Sequence, residues 1–206
     1  WYDRDGNPAY TVERSDGKGY RNTTLRDAKK LGLLPSVTTI LSVAAKPGLQ
    51  NWLQQQAILA ALTLPRNEGE SEEDYLDRVM QDSKAQGRQA ADRGTQIHNI
   101  LEAYFNQTYL IEYPSYTHRT EQALREHFGD QFWITEKSFA HSSGFAGKCD
   151  LHSTEGIVVD FKTKESLENT QVYLEHELQL SAYCNGLNMP YARAAICFVS
   201  ESETKI

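Results

Sequence analysis

Asp150, Asp160 and Lys162 lie within the stretch Gly144 to Glu165, and their types and spacing suit metal-assisted chemistry. Ile157, Val158 and Val159 form a β-branched run of the kind that sheets bury, and Asp160 ends it. A strand repeats every two residues, so Asp160 and Lys162 point to the same side. A hairpin partner carrying Asp150, joined through a turn at Ser153-Thr154-Glu155-Gly156, can bring a second carboxylate to that side. Two carboxylates and an ammonium suit a hard divalent cation such as Mg²⁺ or Mn²⁺. The lysine then positions a water or steadies charge on a phosphate oxygen. By itself an Asp-x-Lys triplet is commonplace on a solvated strand edge, where ion pairs are worth little. The apolar run before it, and the Gly-x-x-Asp spacing from Gly147 to Asp150, set this one apart.

Three further groups belong with these. Ile97, Ile100, Leu101, Tyr104 and Phe105 make an apolar stripe at helical spacing, with His98 and Glu102 four apart at its edge. A lone histidine there is usually structural, but a His–Glu pair beside an Asp–Asp–Lys set is a better ligand candidate. Gln179 and Tyr183 are again four apart, on a helix expected from about Tyr173 to Asn185. Ser36 can cap a helix whose first turn holds Thr38 and Thr39. The same geometry can receive a phosphate, and the plain cap is the favoured reading. Arg88 and Arg93 precede the His98 motif and can touch backbone phosphate, whereas Arg78 and Lys84 read as a solvated helix face.

The elements that must position these residues follow from pattern. Residues 1–34 read as a polar hairpin, turning at Ser15-Asp16-Gly17, and a short helix from Thr24 ended by Gly32. Residues 35–93 read as a helical segment. Pro47 starts one helix containing Trp52, residues 65–74 form an acidic loop, and a second helix runs from Glu72 toward Ala91. Residues 94–206 hold the His98 helix, a helix over 115–129, a strand over 132–141, the meander, the Gln179 helix and a strand from Arg193 to Ser200. All three segments are expected to form one compact domain.

Composition bounds the class. The 206 residues carry 39% hydrophobic and 24% charged side chains, and no apolar run approaches membrane-spanning length. Cys149, Cys184 and Cys197 have no paired spacing, which argues against a zinc ribbon, an iron–sulfur cluster or a disulfide framework and makes a reducing cytosol the simplest setting. The net charge of −7 argues against a broad duplex-coating face, although basic groups lining one channel still allow nucleic-acid binding. Trp1 in place of Met, and a stop soon after a strand, lead us to expect sequence beyond both ends.

Taken in order, Gly94-Thr95-x-x-His98-x-x-x-Glu102, Gly147-x-x-Asp150, Asp160-Phe161-Lys162 and Gln179-x-x-x-Tyr183 resemble the PD-(D/E)XK nuclease superfamily, in its RecB-type and lambda-exonuclease-like branch. The opening Pro35-Ser36-Val37-Thr38-Thr39 is similar to mitochondrial genome-maintenance and phage exonucleases. The resemblance covers roughly residues 35–200. It departs in having Cys149 where a proline is common, and Asp160 where Glu is common. It implies an α/β fold with a restriction-endonuclease-like core: a mixed central sheet with a meander, flanked by helices, and an N-terminal helical segment covering a DNA channel.

The resemblance also implies roles. Asp150 and Asp160 would hold Mg²⁺ or Mn²⁺, with His98 as a third ligand and the Phe161 carbonyl as a fourth. Lys162 would orient the attacking water, and Glu102 would support the site or serve a second metal. Gln179 and Tyr183 would position the scissile phosphate or a base. Arg93, Lys164, Ser36 and Thr38 would be substrate contacts. The implied activity is a metal-dependent DNA exonuclease acting on single-stranded ends in replication, repair or recombination. The implied setting is the cytoplasm of a bacterial or phage-infected cell, with a mitochondrial one left open. The alternatives are a structure-specific endonuclease of the same fold and a non-catalytic nucleic-acid-binding module.

Overall fold

The structure, a computed structural model, describes residues 1–44, 47–107 and 112–206. Two compact units are formed, one from residues 1–43 with 98–206 and the other from residues 44–97.

In the larger unit the chain opens with the expected hairpin, β1 (Thr11–Glu13) against β2 (Tyr20–Asn22). Helix α1 (Leu25–Leu31) follows, begun by a Thr24–Asp27 capping box and ended by Gly32 at φ +65°. Helix α2 (Val37–Leu41) is a single short turn capped by Ser36. Backbone bonds from Tyr2 to Leu34, and from Ala146 to Pro35, tie this segment to the sheet strand that carries Ala146.

The smaller unit holds α3 (Pro47–Thr63) and the first part of α4 (Glu72–Phe105), joined where the Tyr75 hydroxyl donates to the Ala61 carbonyl at 2.8 Å. Ser71 caps α4 by accepting from the Asp74 amide, and acidic residues fill its first turn. The expected Glu72 helix and His98 helix are therefore one helix. Gly87 and Gly94 both sit inside it, since glycine weakens a helix without breaking it. Trp52 is half-buried near Gly87, a packing role within this unit.

The remaining elements are α5 (Ser115–Phe128), β3 (Trp133–His141), β4 (Phe145–Ser153), β5 (Ile157–Thr163), α6 (Leu174–Gly186), β6 (Arg193–Val199) and β7 (Thr204–Lys205). The sheet order is β3-β4-β5-β6-β7, antiparallel throughout except for the parallel β5–β6 pair. The fold is thus α/β with a mixed sheet. Helix α6 makes the crossover that a parallel pair requires and packs on β3 to β6. Val158, Ile196, Phe198, Cys149 and Leu180 lie in the core it closes.

Two glycines let α6 approach. A Cβ at Gly186 would overlap the Phe139 ring, and one at Gly147 would come within 2.8 Å of that ring and 3.2 Å of Tyr183. Gly147 in the Gly-x-x-Asp spacing therefore has a steric cause. No described helix is long and apolar enough to cross a membrane. All three cysteines are buried free thiols.

Candidate functional site

The expected turn is present, closed by the Gly156 amide donating to the Ser153 carbonyl, with Gly156 at φ +80°. From it β4 and β5 pair over Leu151–Ser153 and Ile157–Val159, the full extent of their described ladder. Beyond that point they part, and the two aspartates stand at the parting. The Phe161 amide donates to Asp150 Oδ2 at 2.8 Å, so a side chain takes the donor that a continued ladder would have used. On its other edge β5 stays paired with β6 as far as Thr163, which keeps Asp160 and Lys162 on rigid backbone.

Asp160 is 2% exposed. Its Oδ1 accepts from Gln179 Nε2 at 2.8 Å. Its Oδ2 lies 2.7 Å from Lys162 Nζ, yet it accepts no aligned hydrogen bond. Period two thus put Asp160 and Lys162 on one side, as expected. Gln179 holds the group together: its Oε1 accepts from Lys162 Nζ at 3.0 Å, and its Nε2 also reaches the Tyr183 hydroxyl at 2.8 Å. Both Gln179 and Tyr183 are buried, so Tyr183 offers no face on which a base can stack. These two residues position Asp160 and Lys162 from behind.

His98 stands at the edge of the α4 stripe, with Nδ1 3.5 Å from Asp150 Oδ2 and its ring edge-on to Phe161. Phe161, whose carbonyl is the expected fourth ligand, thus packs its ring against this imidazole. Burial pushes the His98 pKa down, which favours the neutral imidazole that binds metals. Burial pushes both aspartates up, and for Asp160 the charge of Asp150 adds to it. Glu102 is half-buried on the same helix and repels charge on Asp150.

The donor types fit a hard divalent cation. They comprise two desolvated carboxylates, one with an oxygen lacking an aligned donor, and an imidazole that burial biases toward its neutral form. As they stand, however, no three such side chains among the described residues converge as a ready-made metal cluster.

The other expected contacts are placed differently. The Ser36 hydroxyl is occupied, accepting from the Thr39 amide at 3.0 Å and bonding the hydroxyls of Thr38 and Thr39. That is the plain-cap reading. Lys164 stands over the Phe198 ring, 6.0 Å from its centre. Arg93 is exposed on the part of α4 that belongs to the smaller unit. Sequence reasoning passed over Lys148, whose charge reaches both Asp150 and His98. Its place two residues before Asp150 was the available signal.

No protein-family model matches the chain. No curated protein matches it either. A solved structure described as "Crystal structure of SSO0001" aligns with 15% identity over 76% of this chain and 74% of that one, at a TM-score of 0.34. A likeness at that level bears on neither fold nor function.

Proposed function

We propose that this chain is a metal-dependent deoxyribonuclease of the PD-(D/E)XK type, built on a restriction-endonuclease-like core and cutting DNA from single-stranded ends. One observation carries the reading: buried Asp160 is held between Lys162 and Gln179, with Asp150 and His98 at the same parting of strands. A meander of β3 to β5 followed by the α6 crossover to a parallel β6 supports the core assignment.

Asp150, Asp160, His98 and the Phe161 carbonyl are the groups that would hold Mg²⁺ or Mn²⁺. When bound, the ion supplies Lewis acidity toward a phosphoryl oxygen and toward water. The chain does the rest. Gln179 takes one of the three Lys162 donors and fixes the ammonium, whose other donors can orient a water or a phosphate oxygen. Tyr183 and Gln179 keep Asp160 from turning away. The imidazole favours Mn²⁺, which should support cleavage at least as well as Mg²⁺.

The test is cleavage of circular single-stranded DNA, a linear strand of the same sequence and a blunt duplex, each with Mg²⁺, Mn²⁺ or EDTA. Metal-dependent loss of the linear strand alone is expected. Rapid loss of the circle would favour an endonuclease, rapid loss of the duplex would correct only the strand preference, and no loss in any arm would leave a non-catalytic module.

A further inference from the structure

The β3–β4 ladder misses one step, and it does so beside Asp150. Thr135 pairs with Leu151 and Lys137 with Cys149, whereas Glu136 stands opposite Asp150 with no pairing. Glu136 has φ +52°, in the left-handed region, which a residue bearing a Cβ keeps inside a strand only when its surroundings hold it there. Its carboxylate forms an ion pair with Lys148 Nζ, its diagonal neighbour across the two strands. The Lys148 side chain is 36% exposed and that of Glu136 only 17%. The carboxylate is therefore the sheltered partner, and the ammonium is the one that solvent and solutes can reach.

Lys148 lies two residues before Asp150 on β4, and its charge bears on both Asp150 and His98. Without another partner, that ammonium would be drawn onto Asp150 and would compete there with a divalent cation. Glu136 provides the other partner.

We propose that Lys148 is a backbone-phosphate contact of this site, and that Glu136 is its positioning residue, holding the ammonium beside Asp150 and releasing it to a phosphate oxygen of a polynucleotide. The inference rests on the nuclease reading above. A compact ammonium suits a phosphate diester as a point charge. The phosphate competes with Glu136 for the ammonium, and Lys148 is the partner exposed enough to meet it.

Two measurements that do not depend on turnover test this. The first is binding of a labelled single-stranded oligonucleotide, by fluorescence anisotropy in EDTA over a range of salt. Lys148→Gln should reduce the slope of log affinity against log salt by about 0.7, the loss of one phosphate contact on a single strand. Glu136→Gly should leave that slope as in the wild type. The second is Mn²⁺ titration by calorimetry without DNA. Glu136→Gly should weaken Mn²⁺ binding several-fold because Lys148 moves onto Asp150, and Glu136→Gly with Lys148→Gln should restore it. Glycine suits φ +52°, so this variant should keep the fold by circular dichroism; Glu136→Gln, of the same side-chain length, should show the same Mn²⁺ effect. A wild-type salt slope in Lys148→Gln would overturn the phosphate contact, and unchanged Mn²⁺ affinity in both Glu136 variants would overturn the positioning role. Either result with wild-type protein that cuts DNA defeats this inference alone. Wild-type protein that neither binds nor cuts DNA defeats the nuclease reading with it.

Discussion

Asp150 and Asp160, where β4 and β5 part, can be set against Glu70, in the loop that leads into α4. Burial drives the two aspartates above the usual carboxylate range. Glu70 goes the other way, to about 2, chiefly because Arg78 grips both its oxygens at 2.9 and 2.8 Å, with the Asn67 amide adding a third donor. A guanidinium matches a carboxylate in shape and charge and satisfies the anion fully. At the strand parting the donors are one backbone amide, one side-chain amide and an ammonium that is out of line. An anion that burial desolvates more than its donors compensate is disposed to accept a cation from outside. One supplied by its own neighbours is a clasp. The same functional group thus marks a candidate site in one region and an architectural link in the other.

The largest expected effect separates them by activity. Asp160→Asn should reduce metal-dependent DNA cleavage by roughly 10³-fold or more, the worth of several kcal/mol of charge stabilisation. It should still bind DNA, and its melting temperature without metal should equal or exceed the wild type, since a buried charge has gone. Cleavage within tenfold of wild type would remove Asp160 from the site.

Lys162→Ala should lose cleavage to a similar degree while binding Mn²⁺ as the wild type does, read by calorimetry. Near wild-type turnover would show that the Asp-x-Lys triplet belongs with the clasps.

The two regions also carry opposite pH signs in the metal-free protein. A group whose folded pKa is raised binds more protons folded than unfolded, so Asp150 and Asp160 cost stability as pH rises from about 4 toward neutrality. Glu70, with its pKa depressed, contributes stability above about pH 4 and loses it as pH falls toward 2. Urea melts of wild type should show stability rising as pH drops from 7 toward 5 and falling again below 4. Asp160→Asn should flatten the upper limb and leave the lower one unchanged. The reverse pattern would mean that the aspartates are satisfied in a way their hydrogen bonds do not explain.

The smallest effect belongs to the clasp itself. Glu70→Gln should leave DNA cleavage unchanged and lower the melting temperature slightly, by an amount that shrinks in high salt.

Much of the site was readable before the fold was known, for local reasons. Period two placed Lys162 beside Asp160, turn chemistry at Ser153 to Gly156 brought β4 back beside β5, and the α4 stripe put His98 at an edge. What stayed hidden depends on distance along the chain. Nothing near Gln179 says that its amide will join Asp160, Lys162 and Tyr183, because those bonds need α6 folded over the sheet. The Glu72 helix was expected to end near Ala91 and the His98 helix to be separate, but α4 runs unbroken through Gly94. Thr204–Lys205 is too short to announce a strand. Glu136 fell inside the strand expected over 132–141, and a backbone torsion at one residue leaves no trace in pattern.

The two neighbours of β5 are reached by very different routes, through the 154–156 turn to β4 and through the 164–192 crossover to β6. Kinetically, a hairpin closes within microseconds, whereas a non-local parallel pair waits on a large loss of chain entropy. During synthesis the meander with Asp150 and Asp160 leaves the ribosome well before α6 and β6 do. A nascent chain therefore carries the charged residues without Gln179 to arrange them. On the proposed nuclease reading, polypeptides stalled or truncated before Gln179 should therefore be inert, whatever metal is supplied.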